Sequence, residues 1–141
     1  FDVELAKKRS EDNPVYYLQY AHARISSILA FSDRSIKDQV DLSLLNEPET
    51  VNLIKLPAEF PSALIAAVNA LEPFRVLDYL RELAATFHKF YTLHRVVTED
   101  RSLSDARLFL IDAVRIVLRN GLWILGIQAP EKMYTQHGPK L

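Results

Sequence analysis

The chain has 141 residues, 49% of them hydrophobic and 25% charged, and a net charge of -1. That is the make-up of one globular domain, long enough to bury about two thirds of its unfolded surface without a disulfide or a metal, and not of a disordered chain. It has no cysteine, which excludes a disulfide framework and a thiolate metal site, and its charge excludes a global positive field, so any contact with nucleic acid must rest on a local surface.

The three glycines, Gly121, Gly126 and Gly138, come late in the chain. A chain so poor in glycine is badly supplied with tight hairpin turns, which favours helices joined by Pro and Asn/Asp turns. Phe1 is not an initiator Met, so the chain is expected to begin as a cut fragment or a processed product. No signal peptide is expected. The longest apolar stretch, around Ile116 to Ile127, is interrupted by Arg119 and Asn120, so no membrane span is expected.

In chain order, residues 1–12 read as a charged lead-in from an upstream region. Asn13-Pro14 then opens a helix, with Asn as the N-cap and Pro at the first helical position. That helix is predicted to reach about Phe31, with Leu18, Ala21, Ile25, Ile28 and Leu29 on its apolar face. Ser32-Asp33 ends it, and a short helix or irregular stretch is expected from Ser35 to Leu45. Glu47-Pro48-Glu49 starts the next helix, with acids suited to its first turn. Pro57 and Pro61 are expected to break or bend it before it resumes through Leu64, Ile65 and Val68.

From Pro73 to about Tyr91 the apolar period is strong, through Leu77, Leu80, Ala84, Phe87 and Tyr91. Val96 to Arg101 is a polar connection. Ser102 or Ser104 is expected to cap a last helix running to about Leu125, with Gly126 as its stop. Its apolar positions, Trp123 among them, cover more than one face, as in the central helix of a bundle. The fold class is therefore all-α, an antiparallel helical bundle with no sheet of three or more strands. Residues 13–133 form the domain, and residues 134–141 form a tail.

Catalytic chemistry finds no anchor. No Gly-rich phosphate loop precedes a helix, and no His/Glu zinc spacing occurs. A nucleophilic triad has nothing to build on. The informative stretch is NPVYYLQYAHARI, from Asn13 to Ile25. Tyr17, Tyr20 and Arg24 recur at three- and four-residue steps, about one residue (~100°) around the helix from the apolar stripe. Phenol rings that stack on bases, hydroxyls that reach base edges and a guanidinium suit a surface that reads unstacked bases. The same spacing also fits a wet helix edge whose tyrosines bury their rings and expose their hydroxyls. His22 reads equally as a satisfied, half-buried histidine. The aromatics from Phe87 to Tyr91 fit packing.

The string NPVYYLQYAHARISSIL, from Asn13 to Leu29, closely resembles the start of the C-terminal domain of arginyl-tRNA synthetases. RELAATFHKFYTLHRV, from Arg81 to Val96, is similar to that family's aromatic helix. SDARLFLIDAVRIVLRNGLWILGIQAPEKM, from Ser104 to Met133, is similar to its last long helix and closing segment. The domain takes its name from an Asp-Ala-Leu-Arg-like signature, written here Asp105-Ala106-Arg107-Leu108. The resemblance covers nearly the whole chain and implies an anticodon-binding bundle of the class I synthetase type. Its expected partner is the anticodon stem-loop of arginine tRNA, with the central cytosine of the anticodon as specificity base. It implies RNA contacts at Tyr17, Tyr20, His22, Arg24 and Met133, with Tyr20, Arg24 and Met133 foremost.

The parent enzyme would use ATP and Mg, with its nucleotide-binding motifs upstream. The fragment itself would carry no cofactor, no metal and no catalytic residue. No DNA and no membrane partner is implied, and the protein would be a cytoplasmic monomer. Family members commonly end at or beside the Met that matches Met133. This chain continues to Leu141, by a tail that is natural or added, and which would compete with Met133 if it folded back. The alternatives are a helical protein-interaction module without RNA binding, and a related synthetase of another amino-acid specificity, against which the first-helix string argues.

Overall fold

The computed structural model describes residues 13–135 and 138–139, with side chains up to Met133. The lead-in 1–12 lies outside the described residues. Four helices build the bundle: α1 (Pro14–Phe31), α2 (Pro48–Ala70), α3 (Phe74–Leu93) and α4 (Arg101–Ile124). A 3-10 turn at Leu42–Leu44 interrupts the α1–α2 connection. Beyond the helices, Tyr134–Thr135 and Gly138–Pro139 pair antiparallel over two residues each. This is the all-α class expected, with no larger sheet among the described residues.

The Asn13 side chain accepts hydrogen bonds from the backbone of Val15 and Tyr16, and Pro14 takes the first helical position. Leu18, Ala21 and Ile25 of α1 meet Leu53 and Leu56 of α2, Leu80, Leu83, Phe87 and Phe90 of α3, and Ile111, Val114, Leu118 and Leu122 of α4 in one core. Directions follow from contacts along the seams. Arg34, just past α1, bonds Asp105 near the start of α4, while Gln19 and His22 near the start of α1 bond Gln128 and Pro130 just past the end of α4. Helices α1 and α4 are therefore antiparallel. Tyr79 near the start of α3 donates to the Leu56 carbonyl of α2, and His94 at its end bonds Glu49 at the start of α2, so α2 and α3 are antiparallel too. Burial pushes the Tyr79 hydroxyl well above the ordinary tyrosine range.

Several expectations are corrected. Pro57 and Pro61 do not break α2, which runs unbroken past both. Packing of Leu53, Leu56 and Ala67 on the core holds the helix through the two lost N–H donors. The α4 cap is Asp100, whose carboxylate accepts from the Leu103 amide; Ser104 instead turns its buried hydroxyl to Thr98 and the Asp100 carbonyl. Trp123 is not in the core but 79% exposed. Its neighbour two positions back, Gly121, is the residue that faces α3: a Cβ there would lie 2.5 Å from a Leu80 methyl. Two residues turn a helix by about 200°, so Trp123 points to the outside. Gly126 does end the region, with φ +73. Finally, the longest apolar helix is α2, not the last one. By length and composition alone it is apolar enough to cross a membrane, and 17% of its apolar 18-residue window is buried.

Candidate nucleic-acid interface

Helices α1 and α3 lie side by side, and the seam between them collects the aromatic and basic residues. The Tyr20 ring stacks on His88 with centroids 6.0 Å apart, and Tyr17 tilts against the same imidazole at 5.4 Å. One turn further along α1, Arg24 donates from Nη1 to the Tyr20 hydroxyl at 2.6 Å. Its guanidinium carbon sits 4.7 Å from the Tyr91 ring centroid, within cation–π range. The two helices thus contribute matched stripes: Tyr17, Tyr20 and Arg24 from α1, His88 and Tyr91 from α3. All five are half-buried, with rings packed at the core's edge and polar groups near the surface.

Arg24 is the electrostatic centre of this seam. Its Nε, like that of Arg107, has no hydrogen-bond partner; what sets Arg24 apart from Arg107 is that no carboxylate among the described residues pairs with it. A half-buried guanidinium without an acid keeps its full charge available at the seam. Next to Tyr91 the seam opens into a cleft of about 580 Å³, lined by Ser27, Ile28 and Phe31 of α1 and by Tyr91, His94 and Arg95 on the other side. That size is in the range of small-ligand sites, and its apolar wall with basic edges suits a base and its phosphate.

His22 does not join this group. It lies two residues from both Tyr20 and Arg24, about 200° around the helix, and is buried against the closing segment. Its Nδ1 lies 2.8 Å from the Pro130 carbonyl. A carbonyl only accepts, so Nδ1 carries the proton, and Nε2 is a buried acceptor with no partner among the described residues. Burial is the main reason its basicity is held below the ordinary histidine value, and Arg115 and Arg119 add to the effect against the Pro130 bond. Met133, three residues beyond Pro130, is partly exposed. Of the tail, the backbone pairing at 134–139 is described and the side chains lie outside the described residues.

The model of the DALR anticodon binding domain matches residues 18–133, most of the chain. The chain belongs to that family. Arginine–tRNA ligases resemble it across 94% of its length: that of Desulfosudis oleivorans is 51% identical over 140 residues and that of Geobacter metallireducens 51% over 138. The chain spans about a quarter of each relative, 25%, and corresponds to the C-terminal part of the full-length enzyme. Among solved structures, Thermus thermophilus arginyl-tRNA synthetase superposes with a TM-score of 0.80 at 32% identity, covering 94% of this chain and 23% of that one.

In this DALR domain the signature is not part of the aromatic seam. Asp105 pairs with Arg34 at 2.7 Å and Lys37 at 3.3 Å. Ala106 and Leu108 are in the core. Arg107 is buried, donating to the Arg95 carbonyl at 2.6 Å and to Glu47 at 3.0 Å. Burial works to raise the Glu47 carboxyl, but its polar surroundings, the Arg107 hydrogen bond and the neighbouring His94 among them, outweigh it and hold the group below the usual range. The signature therefore fastens α4 to the loops on both sides of it.

Sequence reading alone took Tyr91 for packing and passed over Arg95. A signal was present. His88, Tyr91 and Arg95 repeat the three-then-four spacing of Tyr17, Tyr20 and Arg24, with the two aromatics on α3 and Arg95 just past its end.

Proposed function

We propose that the α1–α3 seam reads the anticodon loop of arginine tRNA, and that the domain so positions the tRNA for ATP- and magnesium-dependent arginylation by a catalytic region of the same protein. The observation that carries this reading is Arg24: a guanidinium stacked on Tyr91, bonded to Tyr20, and without a carboxylate among the described residues. A base or a phosphate would supply the partner that the protein withholds. Tyr20 would stack on or bond a splayed base, Tyr17 would flank it, and Tyr91 would offer a second ring from the opposite helix. Met133 would add an apolar contact at the end of the closing segment. His22 would act at one remove, pinning Pro130 and so the approach of Met133. We take the protein to be a cytoplasmic monomer.

The test is a titration of the full-length protein with arginine tRNA and with a transcript whose middle anticodon base is replaced. A base-reading seam predicts binding of the altered transcript weaker by about 1–3 kcal/mol. Equal affinity for both would favour a helical protein-interaction module instead.

A further inference from the structure

Helix α2 carries an anomaly that the RNA-facing seam does not absorb. From Phe60 to Leu71 there is no charged residue, yet this half of the helix is mostly in solvent. Ile65 is 62% exposed, Val68 71% and Leu71 86%, and Phe74 at the start of α3 is 56% exposed. They follow one another at three-residue steps around the α2–α3 corner and form one apolar surface. Single exposed hydrophobes are ordinary, but four at this spacing, with only the mutually paired Glu72 and Arg75 as charges beside them, mark a contact surface.

A second observation is independent of exposure. Leu71 caps α2 in the left-handed conformation, φ 56. That position is ordinarily taken by Gly, because a Cβ there crowds the backbone. The chain bears that crowding at a side chain which packs on almost nothing among the described residues.

We propose that this corner is the seat of the upstream catalytic region, the part of the relatives that this chain does not span. The inference rests on the arginine–tRNA ligase reading above. Three things select this occupant. The relatives are about four times longer and match here with their C-terminal part. The corner lies at the end of the bundle where the chain enters α1: Leu80 near the start of α3 touches Gly121 near the end of α4, and the segment just past α4 bonds Gln19 and His22 near the start of α1. The corner also sits at the start of α3, whereas the seam residue His88 is 14 residues further along it, roughly 21 Å at 1.5 Å per residue, so its occupant leaves the aromatic seam open to RNA. A membrane fits less well. The uncharged half of α2 spans only about 18 Å at 1.5 Å per residue, short of the roughly 30 Å of a bilayer core, and the other half holds Lys55, Glu59 and the core contacts of Leu53 and Leu56.

The experiment places a photo-crosslinking side chain at position 68 of the full-length protein, with the same probe at exposed Glu99 as control, and identifies the linked peptides by mass spectrometry. The proposal requires products of monomer mass joining position 68 to peptides upstream of Phe1, well above the Glu99 control, and reduced severalfold in a Leu71→Gly background. That second variant relieves the strained cap, so it should keep the fold. Links found only in a species of doubled mass would assign the corner to a second copy. Links confined to residues 1–12, links to added lipid vesicles, or no links above the control would equally overturn the proposal. Arginylation by the unsubstituted protein is measured alongside. Its absence would sink the ligase reading, whereas the crosslinks report on the docking surface whatever that result.

Discussion

Two motif-bearing regions of this domain do opposite kinds of work. The first-helix string places Tyr17, Tyr20 and Arg24 at the edge of the core, with an arginine that no carboxylate among the described residues neutralises. The signature at Asp105–Leu108 puts its arginine inside, bonded to Glu47 and a loop carbonyl, and its aspartate on two basic side chains. An arginine whose hydrogen bonds are made within the fold holds the fold together. One left open at a seam is free to meet a ligand. The residues that give the family its name thus serve the fold in this domain.

The sharpest way to break that contrast is at Arg107. Arg107→Ala removes a buried guanidinium that bonds the Arg95 carbonyl and the half-buried Glu47, and should destabilise the domain by about 3 kcal/mol, from two charge-assisted hydrogen bonds at roughly 1.5 kcal/mol each, seen as a lower denaturation midpoint. The molecules that remain folded should discriminate between anticodons as the unsubstituted protein does. Loss of discrimination without loss of stability would reverse the roles assigned to the two arginines.

At the seam the order inverts. Tyr20→Ala should weaken arginine tRNA binding by about 1–3 kcal/mol, while loss of the half-buried ring lowers the melting temperature by only a few degrees. Arg24→Ala should weaken it by a similar amount, and part of that loss should survive at high salt if the contact is to a base and not to phosphate alone. Tyr91→Ala tests the partner helix. Weakened binding of the same order would make α3 part of the reading surface, while unchanged affinity with a fallen melting temperature would return Tyr91 to packing.

The smallest effect belongs to His22. Its folded-state basicity lies below the free value of 6.5, mainly through burial. As pH falls below about 6.5 the unfolded chain takes up a proton that the folded chain resists, so stability is complete above that value and declines towards the depressed folded value. Denaturation midpoints between pH 7 and 5 should show this slope in the unsubstituted protein and a shallower one in His22→Gln. Equal slopes would remove His22 as a buried neutral pin.

Much of this was legible in the sequence because its signals are local. Asn13-Pro14 announces a helix start, and the three-and-four periodicity of Leu77, Leu80, Ala84 and Phe87 announces a buried face. What was not legible depends on neighbours far along the chain. Pro57 and Pro61 look like breaks until the core contacts of Leu53, Leu56 and Ala67 are seen to hold the helix across them. Trp123 looks like core because it is large and apolar, but the close approach of α3 and α4 is made by Gly121, which leaves the tryptophan outside. Tyr91 and Arg24 are 67 residues apart, and only the crossing of α1 and α3 brings them together. His22 stands beside the seam residues in the string, yet the helical turn sends it to the opposite side.

The central claim is that the α1–α3 seam distinguishes one anticodon from another. The direct measurement is the ratio of affinities of the full-length protein for arginine tRNA and for the same tRNA with its middle anticodon base replaced, determined for the unsubstituted protein, Tyr20→Ala and Arg24→Ala, with melting temperatures alongside. The account predicts a ratio that falls towards one in both variants without a sharp fall in melting temperature. If both variants keep the full ratio while their melting temperatures drop sharply, the seam is packing and the RNA is read elsewhere.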